Sequence, residues 1–353
     1  MNGFDKSKGV IFPRNVLLGH DVLVRIAEVC DDFRFAKTGM IITGKSTYKA
    51  AGKDVRDLME EAKYNIHVHK TGGATFSNSD EIIAEAKDTG SKFILAVGGG
   101  SKIDLAKIVS KELKIPFISI PTSAAHDGIS SDRASMKSDI GPVSVDAIVP
   151  TAIIADTQVI SRSPYRLLAS GCADVISNIT AIMDWKLARD LKGEEYSRSA
   201  ESLSRYSSET IIENSKLIHK GSEESVWVAM RPIIVSGISM SIAGNSRPTS
   251  GSEHLFSHAL DILHPGTSLH GEQCGVGTIM MMYLHGGDWM KIRSALEEIG
   301  APVNAEQLGR RPNEIIDALM EAHKIRKERF TILGDSGLSR DAAEKVAKAT
   351  MVI

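Results

Sequence analysis

The sequence predicts a two-part fold, an α/β part with a mostly parallel sheet followed by an all-helical part. Short apolar, β-branched runs alternate with amphipathic helical patterns up to about residue 160. Such runs largely disappear after Ser163, where long segments with helical periodicity take over. Three consecutive glycines, Gly98 to Gly100, stand between a strand-like run and a helical one. We therefore expect an α/β domain over residues 1–163 and a helical domain over residues 164–353.

The elements of the α/β part are predicted one by one from hydrophobic periodicity. Helical patterns occupy residues 22–33, 46–62, 79–88 and 102–111. Extended segments are predicted at residues 38–43, 65–68, 92–97, 117–120 and 145–155. Residues 127–142 are rich in Ser, Asp and Gly, which indicates a loop or a short hairpin bordering a site.

The second part is predicted to consist of helices. Their patterns cover residues 164–192, 198–219, 225–243, 252–263, 273–285, 289–299, 312–322 and 340–349. Turn-forming residues interrupt them at 244–251, and a loop at this position could border a ligand.

The composition is that of a globular chain with nearly balanced charge. Of 353 residues, 42% are hydrophobic, which is ample for sizeable cores. The 42 basic and 44 acidic residues give a formal net charge of -2 and no general field for a nucleic acid or an anionic membrane. Cys30, Cys172 and Cys274 are odd in number and far apart, which favours a reducing compartment and predicts a cytoplasmic location.

Targeting and membrane segments are not expected. Residues 1–6 lack a basic region followed by an apolar core, and no uninterrupted apolar run approaches the length that spans a bilayer. We therefore expect neither secretion nor membrane insertion.

The glycine run has the order of a phosphate-binding turn, with a strand before it and a helix after it. Glycines without Cβ atoms allow backbone amides to approach a pyrophosphate, and the helix directs its positive end toward the negative charge. A plain strand-to-helix turn could have the same residues, so the turn alone leaves both interpretations open.

A metal site is the sharpest chemical hypothesis from the residues. Asp174 lies in the first long helix of the second part, His254 near the start of a later helix, and His270 further on. One carboxylate and two imidazoles suit Zn²⁺ or Fe²⁺ with open positions, at which the ion acts as a Lewis acid on a C–O bond. His258 shares a helical face with His254 and could hydrogen-bond the substrate. The alternative is chance proximity among 11 histidines and a structural aspartate.

Taken together, these motifs resemble the superfamily of iron-dependent alcohol dehydrogenases, glycerol dehydrogenases and dehydroquinate synthases over nearly the whole chain. Its signature is matched by GGGSKIDLAK at residues 98–107 and PTSAAHDG at residues 121–128. The segments SEHLFSHAL at 252–260 and LHGEQCG at 269–275 look most like the subfamily of sn-glycerol-1-phosphate dehydrogenases. The resemblance implies a Rossmann-like N-terminal domain, an all-α C-terminal domain and an active site in the interdomain cleft.

Residue roles follow from the resemblance. It implies that the pyrophosphate of NADPH or NADH lies against Gly98, Gly99, Gly100, Ser101, Lys102 and Asp104, with further cofactor contacts at Thr122, Ser123, Ala124, Ala125 and Ser131. It implies one divalent metal, zinc in this subfamily, on Asp174, His254 and His270. Substrate is implied to contact Asp127, Asp174 and His258, and proton transfer would involve Asp127 and His258.

The implied reaction is reversible hydride transfer between NAD(P)H and dihydroxyacetone phosphate, giving sn-glycerol 1-phosphate for archaeal-type membrane lipids. A glycerol or other polyol dehydrogenase is the nearest alternative. A dehydroquinate synthase-like lyase and a noncatalytic binding protein are more distant ones. The family also implies a homo-oligomer.

Two selectivity questions remain open from the residues. After the second predicted strand the chain has Gly44 and Lys45 and no acid, so we expect NADPH to be accepted. Candidates for the substrate phosphate are Lys137, Arg133, Arg247 and the turn at residues 246–251, and none of them stands out by its spacing.

Overall fold

The structure, a computed structural model, describes residues 9–138 and 141–353. Residues 1–6, on which the expectation of no targeting signal rests, lie outside the described residues, as do residues 139–140 within the predicted loop or hairpin. In chain order the strands are β1 (Asn15–Gly19), β2 (Thr38–Thr43), β3 (Asn65–Lys70), β4 (Ile94–Gly98), β5 (Phe117–Pro121), β6 (Arg133–Ser138), β7 (Gly141–Asp146) and β8 (Ala152–Asp156).

Helices lie between these strands in the chain, and the regular elements after β8 are all helical. In chain order they are α1 (Ile26–Asp32), α2 (Lys45–Thr47), α3 (Lys53–Glu61), α4 (Phe76–Asp88), α5 (Gly100–Leu113), α6 (Thr157–Ser161), α7 (Tyr165–Lys192), α8 (Arg198–Glu213), α9 (Glu223–Ala243), α10 (Ser252–Leu263), α11 (His270–Leu284), α12 (Trp289–Ile299), α13 (Pro312–Glu321) and α14 (Arg340–Ala349). Short 3₁₀ turns lie at Val22–Arg25, Asp127–Ile129, Ser215–Leu217 and Ala322–Lys324, and Tyr48–Gly52 forms a π-helical turn.

The predicted parallel sheet is confirmed. Within the described residues, six parallel strands pair in the order β1-β8-β5-β4-β2-β3. The central strands β4 and β5 are buried along their whole length, which explains why their sequences are almost continuously apolar. The sheet therefore has helices on both faces, as alternating strands and helices predict.

Two details of the predicted strands are corrected. Residues 145–155, predicted as one extended stretch, divide between β7 and β8, which belong to different sheets. The short antiparallel pair of β6 and β7 realises the hairpin alternative for the Ser-rich connection. Strand β1 was not predicted, because its five residues at the sheet edge are only partly buried and lack clear alternation.

A crevice opens at the carboxyl ends of the strands. From β2 the chain moves outward to β3 and then returns across β2 to form β4, so the direction of winding reverses between β2 and β4. Such a switch point is where open parallel sheets bind ligands. The glycine turn after β4 and the turn at Gly44 after β2 both lie at this crevice.

The helical part is packed around α7 and α9, whose burial explains their apolar sequences. Each is long and apolar enough by composition to cross a membrane, yet 83% and 67% of their most apolar windows are buried within the protein. The helix patterns predicted after residue 163 are found, except that the one over residues 198–219 ends as α8 at Glu213 and is followed by a separate 3₁₀ turn. The helix α7 is capped by Gly193 in the left-handed region, φ 68°.

One hydrophobic core cluster joins both parts of the chain. It includes Ile103 and Phe117 from the α/β part as well as Phe256 and Leu296 from the helical part. The domain boundary at residues 163/164 falls between α6 and α7 and stays a prediction. Because the core is continuous, side chains from both parts are held in fixed positions along the crevice.

Candidate active site

The glycine turn presents free backbone amides at the start of α5. Gly99 is the extended N-cap residue, and no side chain of the described residues caps the helix there. A Cβ atom on Gly100 would collide with Nε2 of His126, which packs directly against the turn. The first turn of α5 is thus a suitable site for an anion, and its first residue, Gly100, has no room for a side chain.

Most of the predicted cofactor residues line one opening, which we call the glycine-turn cleft. Its lining includes Gly44, Lys45, Gly99, Gly100, Ser101, Lys102, Thr122, Ser123, Ala125, Arg162 and Leu167. Gly98 and Ala124 lie beneath this surface and do not line it. Asp104 and Ser131 line a neighbouring cavity that shares Ser101 with the cleft.

Asp104 and Ser131 have structural partners in that neighbouring cavity. The fully buried ammonium of Lys107 lies 3.2 Å from Oδ1 of Asp104 and 3.3 Å from Oγ of Ser131. The same ammonium donates to the backbone carbonyl of Gly128. This buried cation therefore ties α5 to the loop that carries Asp127.

The second opening, the histidine cavity, contains the predicted metal ligands. Its lining includes Ser101, Asp104, His126, Asp127, Ser131, Asp174, Met240, Ser246, Thr249, His254, His258, Asp261, His270 and Arg326. Oδ1 of Asp174 lies 3.7 Å from Nε2 of His254 and 3.7 Å from Nε2 of His270. Residues 80 or more positions apart in sequence are therefore brought to one point.

The donor set fits a divalent ion. Oδ1 of Asp174 is buried without a hydrogen-bond partner among the described residues, although an ionised carboxylate oxygen demands one. Two ring nitrogens flank this oxygen at a separation that a shared tetrahedral ion would bridge with only small adjustment. Asp174, His254 and His270 could therefore hold a metal ion.

Outer partners orient His270. Oγ of Ser257 donates to Oε1 of Gln273 at 2.6 Å, so it accepts the Nδ1 proton of His270 at 3.1 Å. Nε2 of His270 then has a free lone pair facing Asp174, which is the orientation that a metal ligand needs.

His254 is oriented in the same way by its neighbour Glu253. The carboxylate of Glu253 accepts from Nδ1 of His254 at 2.9 Å and from the hydroxyl of Thr180 at 2.8 Å. Its desolvation raises the pKa of Glu253 to about 7, with Asp184 adding to the rise. Glu253 is buried completely, so the network rigidly fixes the imidazole.

Asp127 and Asp174 form an acidic pair in the lining of the cavity. The backbone amide of Asp127 donates to Oδ2 of Asp174 at 3.2 Å, and Oδ2 of Asp127 accepts from Ser236 at 2.7 Å. Burial raises the pKa of Asp127 to about 7, and the charge of Asp174 adds to the rise. Burial is also the main cause that raises the pKa of Asp174 to about 7.

His258 lines the cavity beside the cluster without belonging to it. Its ring centroid lies 5.7 Å from that of His270, and its Nδ1 is buried without a partner among the described residues. Burial, aided by the neighbouring charge of His270, lowers the pKa of His258 well below its usual value. The ring is therefore neutral near pH 7 and has a free nitrogen for a ligand.

Several residues at the cavity were not singled out from the sequence. His126 stands inside the PTSAAHDG motif and covers Gly100, and burial lowers its pKa to about 4. Cys274 follows His270 by one helical turn, and its Sγ lies 3.6 Å from Nε2 of that histidine. The four-residue spacing was a usable signal for Cys274. Nothing in the sequence marked Arg326.

The candidates for the substrate phosphate separate in the structure. Arg247 does not line the histidine cavity, because its guanidinium is paired with Glu194 and donates to the carbonyl of Phe330. Arg133 lines the cavity but is paired with Asp146. Lys137 and three residues of the turn at 246–251 also line it.

Comparison with solved structures defines the fold. Glycerol dehydrogenase from Schizosaccharomyces pombe superposes with a TM-score of 0.77 at 19% identity, covering 98% of this chain and 91% of the other. Sulfoacetaldehyde reductase from Bifidobacterium kashiwanohense, solved with NAD+, gives 0.76 at 15% identity over 98% and 99%. Residues 17–164 match the family model of iron-containing alcohol dehydrogenases. The fold is thus that of iron-containing alcohol dehydrogenases.

Sequence identity to curated relatives identifies the family within this fold. The glycerol-1-phosphate dehydrogenase [NAD(P)+] of Methanosarcina mazei is 50% identical over 99% of this chain and 98% of its own length. The enzyme of the same name from Methanothermobacter thermautotrophicus is 50% identical over 97% and 98%. The chain belongs to the glycerol-1-phosphate dehydrogenase family.

Proposed function

We propose that this protein catalyses the reversible NAD(P)H-dependent reduction of dihydroxyacetone phosphate to sn-glycerol 1-phosphate. The observation that carries the proposal is the 50% identity, over almost the whole chain, to enzymes named for glycerol 1-phosphate. The product would supply the glycerophosphate backbone of archaeal-type membrane lipids.

In this proposal the two openings have separate tasks. Bound in the glycine-turn cleft, NAD(P)H would supply the hydride, its pyrophosphate near the amides at the start of α5. The substrate would lie in the histidine cavity, which meets the cleft at Ser101. This adjacency supports direct transfer between the two ligands.

Asp174, His254 and His270 would hold one divalent metal, which we propose to be zinc. A bound ion of this kind acts as a Lewis acid toward the ketone oxygen of the substrate. The hydrogen bonds from His270 to Ser257 and from His254 to Glu253 keep both Nε2 lone pairs turned inward. Support for the set is the unpartnered Oδ1 of Asp174.

Asp127 and His258 would handle the substrate's hydroxyl groups and the proton. Reduction of the ketone requires one hydride and one proton, the latter delivered to the new hydroxyl oxygen. Asp127, with a pKa raised by burial to about 7, can hold a proton near neutral pH. Neutral His258 can donate a hydrogen bond from one ring nitrogen and accept at the other.

The protein's setting completes the proposal. We propose a homo-oligomer in the cytoplasm with small-molecule ligands, without nucleic acid and without membrane insertion. The buried, unpaired thiols of Cys30, Cys172 and Cys274 support a reducing compartment. The burial of α7 and α9 within the protein supports the absence of membrane insertion.

The deciding experiment combines turnover with stereochemistry. Metal-loaded protein is incubated with NADPH and dihydroxyacetone phosphate, and the product is separated by enantiomer. We expect NADPH oxidation and sn-glycerol 1-phosphate, both abolished by His254→Ala. The opposite enantiomer would contradict the proposal, and faster turnover of dihydroxyacetone without phosphate would favour a polyol dehydrogenase.

Cofactor preference can be tested at the turn after β2. Lys45 lines the glycine-turn cleft, and no acid precedes it at Gly44 or Thr43. We propose that Lys45 attracts the 2′-phosphate of NADPH. Lys45→Ala should lower kcat/KM for NADPH and leave that for NADH nearly constant. An unchanged ratio of the two would remove Lys45 from cofactor selection.

A further inference from the structure

Arg326 stands out in the histidine cavity as a partly buried cation that forms no hydrogen bond or ion pair with the described residues, although the exposed Glu328 lies near it. It follows the 3₁₀ turn Ala322–Lys324 and lines the same cavity as His254, His258 and His270. Among the described residues it has neither a hydrogen-bond nor an ion-pair partner. A guanidinium that is partly withdrawn from water normally finds such a partner, so its isolation calls for an anion from outside.

The neighbouring arginines are already engaged, which distinguishes Arg326 from them. Arg247 pairs with Glu194, and Arg133 pairs with Asp146. Arg329 donates to the carbonyl of Ser250 and, at 2.8 Å, to the hydroxyl of Ser246. Lys137 also lines the cavity, but its side chain is exposed to solvent, whereas Arg326 is partly buried. Among the described residues, Arg326 is thus the partly buried cation of this lining whose hydrogen-bonding edge is free for a ligand.

The arrangement of openings places Arg326 at one end of the cavity. Ser101, at the other end, is shared with the glycine-turn cleft. Arg326, His258 and Ser246 are shared with a further opening that the glycine-turn cleft does not reach. Arg326 therefore lies on the side of the imidazoles that is remote from the glycine turn.

Hydroxyl groups near Arg326 complete the surroundings suited to an anion. Ser246 and Thr249 line the cavity, and Arg329 holds their turn in place through the hydroxyl of Ser246. The acidic group Asp261 also lines the cavity, but its Oδ1 accepts from the amide of Gln273 at 2.7 Å. Burial lowers the pKa of Arg326, the charge of nearby Glu328 opposes this only in part, and the charge of Arg133 adds to the lowering. A bound dianion would shift the pKa in the opposite direction.

We propose that Arg326 binds the phosphate group of the substrate, assisted by the hydroxyls of Ser246 and Thr249, and thereby selects phosphorylated trioses. The inference rests on the proposed function, in which no residue has yet been assigned to the phosphate group of the substrate. A planar guanidinium can donate two parallel hydrogen bonds to phosphate oxygens. A substrate held there would extend from Arg326 past His258 toward the glycine-turn cleft.

The test compares kcat/KM for dihydroxyacetone phosphate with that for dihydroxyacetone, both with NADPH. In Arg326→Met the ratio of the two should fall on the order of 100-fold, as expected for a lost charge-assisted pair. Arg326→Lys should recover part of the loss. The control is Lys327→Met, which removes the same charge from an exposed neighbour. An unchanged ratio, or an equal loss for both substrates, would overturn the proposal.

A binding measurement separates this inference from the proposed function. Calorimetric titration of the metal-loaded protein with inorganic phosphate should give a dissociation constant that rises on the order of tenfold or more in Arg326→Met. If wild type binds phosphate through Arg326 but does not reduce dihydroxyacetone phosphate, the anion site stands and the proposed function fails. Equal phosphate affinity in both proteins would refute the site. Circular dichroism confirms that each variant is folded.

Discussion

At the scale of single residues, the geometry around Asp174 carries the chemistry. One of its carboxylate oxygens accepts from the amide of Asp127, while the other meets only two ring nitrogens. Burying such an oxygen without a donor is costly, and a divalent ion would offset the cost. A metal ion bound there would replace the proton that the raised pKa, about 7, lets the buried carboxyl of Asp174 hold in the free protein.

Asp174→Asn should abolish tight metal binding. The amide replaces a charged ligand with a neutral one, and we expect zinc affinity to fall by more than about 100-fold, beyond the usual effect of outer-shell residues. Equilibrium dialysis followed by elemental analysis measures the affinity. Asp127→Asn serves as the matched control, since Oδ2 of Asp127 accepts from Ser236 and, among the described residues, Asp127 forms no ion pair with His254 or His270. Equal zinc retention in the two variants would contradict the ligand assignment.

Ser257→Ala should lower the affinity for the metal ion, although Ser257 is not itself a proposed ligand. Without the hydroxyl, Nδ1 of His270 loses its acceptor and the ring can turn, so we expect zinc affinity to fall about 10- to 100-fold. Competition with a chromophoric chelator measures the change. The control is Ser208→Ala, a buried serine that bonds only to its own helix at Arg205. Equal zinc affinity in Ser257→Ala and wild type would exclude this positioning role.

Residue types were predictable at this scale, but partnerships were not. The sequence indicated that Asp174, His254 and His270 share a site, since those types in that order suit a divalent ion. It could not indicate that Arg247 forms an ion pair with Glu194 while Arg326 forms none among the described residues. Pairing of charges depends on contacts between segments far apart in the chain.

At the scale of elements, the start of α5 combines a strand end, a glycine turn and a free helix N-terminus. Gly100→Ala should reduce NADPH affinity roughly tenfold or more, because the new methyl group would displace His126 from the turn. Fluorescence titration measures the dissociation constant. Gly9→Ala, whose added Cβ meets nothing within 4 Å, is the control. Undiminished NADPH binding would show that the turn does not contact the cofactor.

A second element-scale prediction concerns the packing of α8 against α7. Burial alone would raise the pKa of Glu201, but the ion pairs of its carboxylate with Lys186 at 2.5 Å and Arg205 at 2.9 Å outweigh burial and lower the pKa to about 2. A folded-state pKa below the unfolded value stabilises the protein above pH 4.5. This contribution is lost as the pH falls through about 2.

Glu201→Gln should therefore destabilise the protein by about 1–2 kcal/mol at pH 7, less than the full shift implies, because Lys186 and Arg205 are partly exposed. The penalty should shrink steadily as the pH falls from 5 toward 2. Urea unfolding at several pH values measures the free energy of unfolding. Glu213→Gln, on the same helix, provides the comparison. A penalty independent of pH would rule out an ionic origin.

The predicted bounds of helices and strands are correct where buried residues recur at the regular spacing of one type of element. The strand over residues 38–43 and the helices over residues 252–263 and 289–299 have the predicted bounds, because their apolar residues follow one regular pattern. Residues 145–155 were misread, since β-branched sequence is compatible with either sheet and the break between β7 and β8 is set by tertiary pairing.

At the scale of the whole molecule, one core cluster links the sheet and the helical part. A continuous core predicts that both parts unfold together. Scanning calorimetry should show a single transition. Zinc at about 100 times its dissociation constant should raise the stability by roughly 2.7 kcal/mol and shift the whole transition upward. Two transitions, with only one moved by zinc, would show that the parts are energetically separate.

The sequence by itself determined the class of fold, the glycine turn and the chemical types at the site. These depend on local periodicity and on residue identity, both of which can be read directly from a single sequence. Only the tertiary structure decided which groups meet. It set the 3.7 Å separations around Asp174, placed Asp104 and Ser131 in the second cavity, and left Arg326 without a hydrogen bond or ion pair among the described residues. Distances and charge pairing arise from the packing of distant segments, so no local pattern encodes them.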